Sequence, residues 1–260
     1  MRVASAESFV PADTVASVRL VRHATLLVTL GETTLIVDPM LGDAGVDPPV
    51  QNTPNQWRNP LVDLPDVDLA HDAVLVTYRH TDHFDAAAAR DRIDPETPMI
   101  VHPEQVAFLE EEGFTDVRPL SGDLAVGGLT ISPTPARQGY GDLADAMAPV
   151  TGAVVRGGDD SPAVYLAGDT VWYDAVAETL SAVRPDAVVV HAGAARFLEG
   201  DPITMDAAGV REVRESAPND SPVIAVHMDA INHCLLMRDD LREAVSGVTA
   251  PEDGEVVTID

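Results

Sequence analysis

Two histidines and an aspartate fall within four positions in the segment Tyr78-Arg79-His80-Thr81-Asp82-His83. Residues of the same kind recur singly further on: Asp169 in Gly168-Asp169-Thr170, His191 after the run AVVV, and His227 after VIAV. Each follows a short apolar run, and the first segment follows AVLVT at 73–77. Neutral imidazole together with carboxylate suits Zn, Mn or Fe(II) better than Ca. A bound divalent ion can bring the pKa of a water down toward about 7 and polarise a carbonyl or phosphoryl oxygen. Any one of these residues alone is more often structural. Four sets at the ends of apolar runs point to one metal centre.

Such a centre needs strands that end at a common edge. Residues 18–21, 25–30 and 34–37 read as strands, the last two joined by a tight turn at Gly31-Glu32. Residues 42–60 carry Gly, Pro and Asn without a period and read as a loop. The run 73–77 reads as a strand buried on both faces, followed by an alanine-rich helix over 85–91. A strand is expected over 99–102 and a helix over 103–112, with Pro103 in its first turn and Gly113 at its end. Strands at 129–132, 152–156, 163–166, 187–190 and 223–226 then alternate with helices at 174–183, 206–216 and 238–245. Meander-like strands followed by strand–helix alternation give a layered α/β architecture, in which sites gather outside the carboxyl ends of strands.

The 260 residues include 16 basic and 43 acidic ones, a net charge of −27. All the basic residues are Arg; the chain has no Lys. So negative a chain repels itself at low salt, and at molar salt, where the Debye length is about 3 Å, that penalty fades. The composition predicts a salt-adapted, halophilic protein whose unfolding midpoint rises from dilute to molar KCl. The Glu110-Glu111-Glu112 and Asp159-Asp160 runs contribute to this excess. The acidity argues against nucleic-acid binding, and no stretch has the roughly 18 to 20 apolar residues of a membrane span. Residues 1–9 lack a charged region followed by an apolar one, so no secretory signal is expected. The single cysteine, Cys234, rules out an internal disulfide framework. The expected setting is a reducing cytoplasm.

These residues resemble the metallo-β-lactamase fold superfamily, and within it a lactonase-like branch of small single-domain hydrolases. The family's His-x-His-x-Asp-His signature matches 78–83, its bridging aspartate matches Asp169 in Gly-Asp-Thr, and its last histidine ligand matches His227 in AVHMDAINHC. The opening RHATLLVTLGETTLIVDP is similar to that branch's usual start, including His23 and Asp38. The resemblance implies one domain over 1–260 (core about 18–245), folded as a four-layer αββα sandwich with the site at one edge.

Two positions depart from the family pattern. The first histidine of the signature falls on Tyr78, and the mid-chain histidine ligand falls on Gln138. The resemblance therefore leaves the first metal site with His80 and Asp169, and the second complete with Asp82, His83, His227 and Asp169. One tightly held ion, zinc before Mn or Fe, is expected, with a weak or empty neighbour. Tyr78 as a phenolate, Gln138 through its carbonyl oxygen, or His191 would be the compensating ligands.

The implied function is hydrolysis of an ester-like bond (lactone, thioester or phosphodiester) in a small-molecule substrate by metal-activated hydroxide. Asp82 and His80 are the candidate catalytic residues: Asp82 as proton acceptor, His80 as general base or oxyanion donor when it is not a ligand. His23, His191, Trp172 and His233 are candidate substrate-binding residues, and Asp38 is expected to orient a ligand histidine. The alternative is a degenerate member that binds a metal or ligand without hydrolysis. Oligomeric state is open.

Overall fold

The computed structural model describes residues 16–158, 161–218 and 220–259. Residues 1–9 and the Asp159-Asp160 pair lie outside them. The first sheet is built from β1 (Ala16–Arg22), β2 (Thr25–Leu30), β3 (Thr33–Val37), β4 (Ala73–Val76), β5 (Met99–Val101) and β6 (Val117–Pro119), with helices α1 (Ala86–Arg92) and α2 (Val106–Glu111) in its connections. The second contains β7 (Leu124–Val126), β8 (Leu129–Pro135), β9 (Thr151–Arg156), β10 (Ala163–Leu166), β11 (Ala187–His191) and β12 (Val223–Val226). Helices α3 (Gly141–Met147), α4 (Asp174–Val183), α5 (Ala207–Ser216) and α6 (Arg238–Ala244) belong to this half, and β13 (Val256–Thr258) returns to the first sheet. The strand orders are β13-β1-β2-β3-β4-β5-β6 and β12-β11-β10-β9-β8-β7.

The sheets face each other across a core that includes Leu20, Val28, Leu35 and Leu75 from one and Ile131, Val155, Leu166 and Ile224 from the other. On the outside of the first sheet, Ala89 of α1 and Leu109 of α2 pack with Phe84 and Phe114. On the outside of the second, Val176, Leu180, Val210, Val213 and Leu241 of α4, α5 and α6 cover Val188, Val190 and Ala225. The layers are therefore helix, sheet, sheet, helix, as expected. Strands β4, β10, β11 and β12 are buried on both faces, which is why they read as continuous apolar runs.

Four elements, β6, β7, β13 and α3, left no clean signal in the sequence. The three strands have three residues each, and β6 and β13 are no more than half-buried. Helix α3 has no side-chain cap and no buried residue. The expected helix over 103–112 opens as a 3₁₀ turn, Pro103–Gln105, with the His102 ring accepting from the Glu104 N–H (3.2 Å).

Strands β3 and β4 are parallel neighbours, as are β10, β11 and β12. Within each sheet, these strands end at the same edge. The loop over 42–60 crosses that end of the molecule and is fastened by Asn232. The Asn232 Oδ1 accepts from the Val50 N–H and from Asn59 Nδ2, each at 2.9 Å. Its Nδ2 donates to Thr53 Oγ1 (2.7 Å).

Candidate metal centre

Six strand ends deliver the site. His83 comes after β4, Asp169 after β10, His191 is the last residue of β11, and His227 follows β12; His23 and Asp38 follow β1 and β3. The strands stop here through local backbone conformations that ordinary residues adopt only at a cost. His23, Asp38 and His227 all have left-handed φ (59°, 47° and 68°), a strain of order 1 kcal/mol or more each that tends to persist at functional sites. Gly168 (φ 68°) takes the turn that aims Asp169; a Cβ there would lie 2.6 Å from the Thr151 carbonyl oxygen. Only glycine fits.

One ligand-type atom each from His83, Asp169, His191 and His227 lies within 4.8 Å of the other three, and all four residues are buried. Asp169 is the hub. Its Oδ2 is 3.2 Å from His83 Nε2, and its Oδ1 is 2.8 Å from His191 Nδ1 and 3.3 Å from His227 Nε2. The Nε2 atoms of His83 and His227 are 3.3 Å apart. Asp82 stands at the edge, its Oδ2 3.9 Å from both. This donor set fits a divalent ion: imidazole nitrogens and a carboxylate converge, with no arginine among the four residues. Gln138, whose Nε2 donates to Asp169 Oδ2 (2.5 Å), keeps a buried Oε1 with no partner among the described residues.

The charges follow from this geometry. Burial works against a charged His83, but the carboxylates of Asp169, Asp38 and Asp82 outweigh it and hold its pKa well above the ordinary histidine value. Burial likewise opposes the Asp169 carboxylate, yet His83 and His227 beside it and the His191 and His83 hydrogen bonds hold its pKa well below the usual range. Burial wins at His227, pushed down to about 3. His227 is therefore a neutral imidazole at neutral pH, the form a metal ligand needs.

Asp38 is fully buried behind His83. Its Oδ2 accepts from His83 Nδ1 (2.8 Å) and Thr77 Oγ1 (2.6 Å), and its Oδ1 from the Thr77 N–H (2.7 Å). With Nδ1 turned to Asp38, His83 has Nε2 for the cluster. Carboxylates that orient ligand histidines in this way are worth about 10- to 100-fold in metal affinity. Asp38→Ala is expected to weaken Zn²⁺ binding by that factor in a competitive-chelator titration, with the secondary structure retained by circular dichroism. An unchanged affinity would remove Asp38 from the site.

The remaining residues divide clearly. His191, expected at the substrate, is in the ligand cluster; as the last residue of β11, it obeys the same strand-end rule as the others. His80, expected as a ligand, stands outside it: its ring lies against that of Tyr78, with centroids 3.9 Å apart. Tyr78 is not a phenolate. Its hydroxyl donates to the Met147 carbonyl (2.8 Å), and burial pushes its pKa up to about 12. His233 is buried near Asp82, and burial lowers its pKa while Asp82 raises it. Trp172 lines a cavity of about 390 Å³ with Tyr140, Thr204 and Met205. His23, expected at the substrate, is 1% exposed and packs on the His227 ring instead (centroids 3.8 Å). Sequence reasoning passed over the contact of Cys234 Sγ with His227 Nδ1 (3.5 Å). The seven-residue spacing after a strand end gave no periodic signal for it.

The chain is similar to several known proteins. Residues 33–228 match the beta-lactamase superfamily domain. The chain is 33% identical over 251 residues to the UPF0173 protein YddR of Bacillus subtilis (strain 168), covering 92% of this chain and 98% of that one. A possible metal-dependent hydrolase from Veillonella parvula DSM 2008 superposes with a TM-score of 0.87 at 30% identity, over 95% of this chain and 100% of that one. An isothiocyanate hydrolase from Delia radicum gut bacteria superposes with a TM-score of 0.85 at 30% identity, over 94% and 99%. The chain belongs to the beta-lactamase superfamily and is a metal-dependent hydrolase of the metallo-β-lactamase fold.

Proposed function

We propose that the protein hydrolyses an ester-like bond, as in a lactone, thioester or phosphodiester, with one divalent ion held by His83, Asp169, His191 and His227. The observation that carries this is the buried convergence of three imidazoles on the Asp169 carboxylate. Zinc is the first choice and Mn or Fe(II) the alternatives, from the imidazole–carboxylate donor set. When bound, the ion supplies a water of lowered pKa and polarises a substrate oxygen.

The chain's own residues do the rest. Asp82, at the cluster's edge, has its pKa lowered: burial opposes this, but His83, His233 and His227 outweigh it. It is an ionised base beside the centre and takes the proton from the attacking water. His80 stands at the rim with its ring against Tyr78, and the partial burial of that ring lowers its pKa, so it is a neutral imidazole that donates an N–H to oxygen charge developing on the substrate. Gln138 holds Asp169 from the side where the family pattern has a histidine.

A second reading has its own support. A cavity of about 520 Å³ is lined by Leu143, Phe197 and Leu198 together with Asn52 and Glu199, and two of its lining segments start near cluster residues in sequence, α3 three residues after Gln138 and the 192–198 segment directly after His191. It suits a substrate with an apolar substituent. With the 30% identity to the isothiocyanate hydrolase, attack of water on the central carbon of an isothiocyanate is the competing reaction.

The test is turnover of a panel of lactones, thioesters, phosphodiesters and isothiocyanates by zinc-loaded protein purified in molar salt, with His227→Ala as control. Ester-like turnover abolished by chelator and by the substitution supports the first reading. Turnover of isothiocyanates alone replaces it with the second.

Metal uptake also has a proton signature. The raised pKa of His83 means that the metal-free protein holds a proton there at neutral pH. Stability from that proton is fully present below the unfolded value of about 6.5 and is lost as pH rises through the higher folded value. A metal must displace it. Zinc titration in weak buffer is expected to release about one proton from this residue at pH 7, with affinity falling as pH falls. Equal release by His83→Ala would show that the proton comes from elsewhere.

A further inference from the structure

His227 has two working edges, and only one faces the cluster already described. Its Nε2 meets His83 and Asp169; its Nδ1 meets Cys234 Sγ at 3.5 Å. His23, His227 and Cys234 each place a ligand-type atom within 4.8 Å of the other two, and they are 1%, 0% and 5% exposed. The His23 ring lies on that of His227, tilted by 37°. Neither of its nitrogens has a hydrogen-bond partner among the described residues, although both are buried. Leaving a buried polar group unpaired costs about 1–3 kcal/mol, and native proteins rarely do so without a reason.

The surroundings hold these groups together. The His227 N–H donates to the His23 carbonyl (2.9 Å), joining the ends of β1 and β12. Gly193 leaves the thiol its space, since a Cβ there would stand 2.9 Å from Cys234 Sγ and 2.2 Å from the His227 carbonyl oxygen. The N-to-S separation is also that of a ligand pair. For zinc, bonds of about 2.3 Å to sulfur and about 2.0 Å to nitrogen, at the tetrahedral angle, put the two atoms about 3.5 Å apart.

We propose that His23, Cys234 and the Nδ1 edge of His227 form a second metal site, selective for thiophilic ions such as Cd²⁺ or Cu⁺, whose occupancy excludes an ion from the front cluster. Thiolate and imidazole are the ligands such ions prefer. Binding breaks the Cys234 S–H bond and forms a sulfur–metal bond; the proton leaves to solvent and no electron is transferred. A neutral imidazole has one free nitrogen lone pair. With an ion in front, Nε2 of His227 is the ligand and Nδ1–H points to the Cys234 sulfur. With an ion behind, Nδ1 is the ligand and the proton sits on Nε2, 3.3 Å from Asp169 Oδ1. The two occupancies require opposite tautomers. A soft metal therefore inhibits the enzyme by taking His227 out of the front cluster. This holds whichever bond the enzyme cleaves.

The experiment is titration of the metal-free full chain with Cd²⁺, followed by the ultraviolet thiolate-to-cadmium charge-transfer absorption. The expected band saturates at one ion per chain and remains in His83→Ala, which disables only the front cluster. It disappears in Cys234→Ser, and its midpoint shifts at least tenfold in His23→Gln. Preloading the front with Zn²⁺ is expected to suppress the band until zinc is displaced. A wild-type chain that shows no band at saturating Cd²⁺ overturns the site, as does a His23→Gln titration that superposes on wild type. Simultaneous full occupancy by zinc and cadmium overturns the exclusion.

Discussion

Asp169→Asn is expected to empty the front cluster and to abolish hydrolysis. The carboxylate meets His83, His191 and His227 at 3.2, 2.8 and 3.3 Å and receives the Gln138 amide at 2.5 Å. Asparagine keeps the shape but removes the charge and turns one acceptor into a donor aimed at other donors. Partners that merely orient ligands are worth about 10- to 100-fold in affinity, so a ligand shared by three imidazoles is expected to cost at least about 100-fold in Zn²⁺ affinity. At saturating zinc, kcat/KM is expected to fall by about 1000-fold or more, some 4 kcal/mol of transition-state stabilisation. His83 should respond in the metal-free protein too. With its largest carboxylate partner neutralised, its pKa drops toward the ordinary value, and NMR titration of the ring is the direct check. Retention of wild-type zinc content by Asp169→Asn would refute the assignment of Asp169 as hub.

Arg22→Leu is expected to cost more fold stability than any surface change. The side chain is fully buried, at 0% exposure. Its guanidinium donates to three carbonyls, Met40 (2.6 Å), Gly42 (2.9 Å) and Val62 (3.1 Å), and so pins both ends of the loop that crosses the site. Burial lowers its pKa, against the more distant pull of Asp253, Asp85, Asp43 and Asp63. Leucine fills much of the space but leaves the carbonyls without donors. Hydrogen bonds to a charged group contribute about 1.5–3 kcal/mol each, and buried unpaired acceptors cost about 1–3. Allowing for relaxation, the loss is expected to be at least about 3 kcal/mol, or roughly 6–12 °C in the melting midpoint. Arg22→Lys should recover only part of it, because an ammonium lacks the fork that spans separate carbonyls. A midpoint for Arg22→Leu within about 2 °C of wild type would show that the loop is held by Asn232 alone.

The residues by themselves determined the layered α/β class, the strands from 73 onward that are buried on both faces, and the strand-end rule that singled out 78–83, Asp169, His191 and His227. These are legible because burial on both sides of a sheet forces continuous apolar runs, and because polar residues that interrupt such runs at their ends stand out. The resemblance added the αββα arrangement and the positions of Tyr78 and Gln138. Spacing could not choose among histidines that all follow strands. His80 and His83 are three residues apart in one turn, yet one stacks on Tyr78 at the rim and the other is buried between Asp38 and Asp169. His191 and His23, both expected at the substrate, part company for the same reason: both end strands, but β11 lies between β10 and β12 and delivers His191 to Asp169, whereas the turn after β1 delivers His23 to the far edge of the His227 ring. Which edge of an imidazole faces a metal is set by partners more than 40 residues away, Asp38 for His83, or by a turn with no sequence period, Cys234 for His227. The Asp38 contact exists only once β3 and β4 have paired across 45 residues of chain, and the Cys234 contact only once the segment after β12 has folded back, so the tertiary structure decided them.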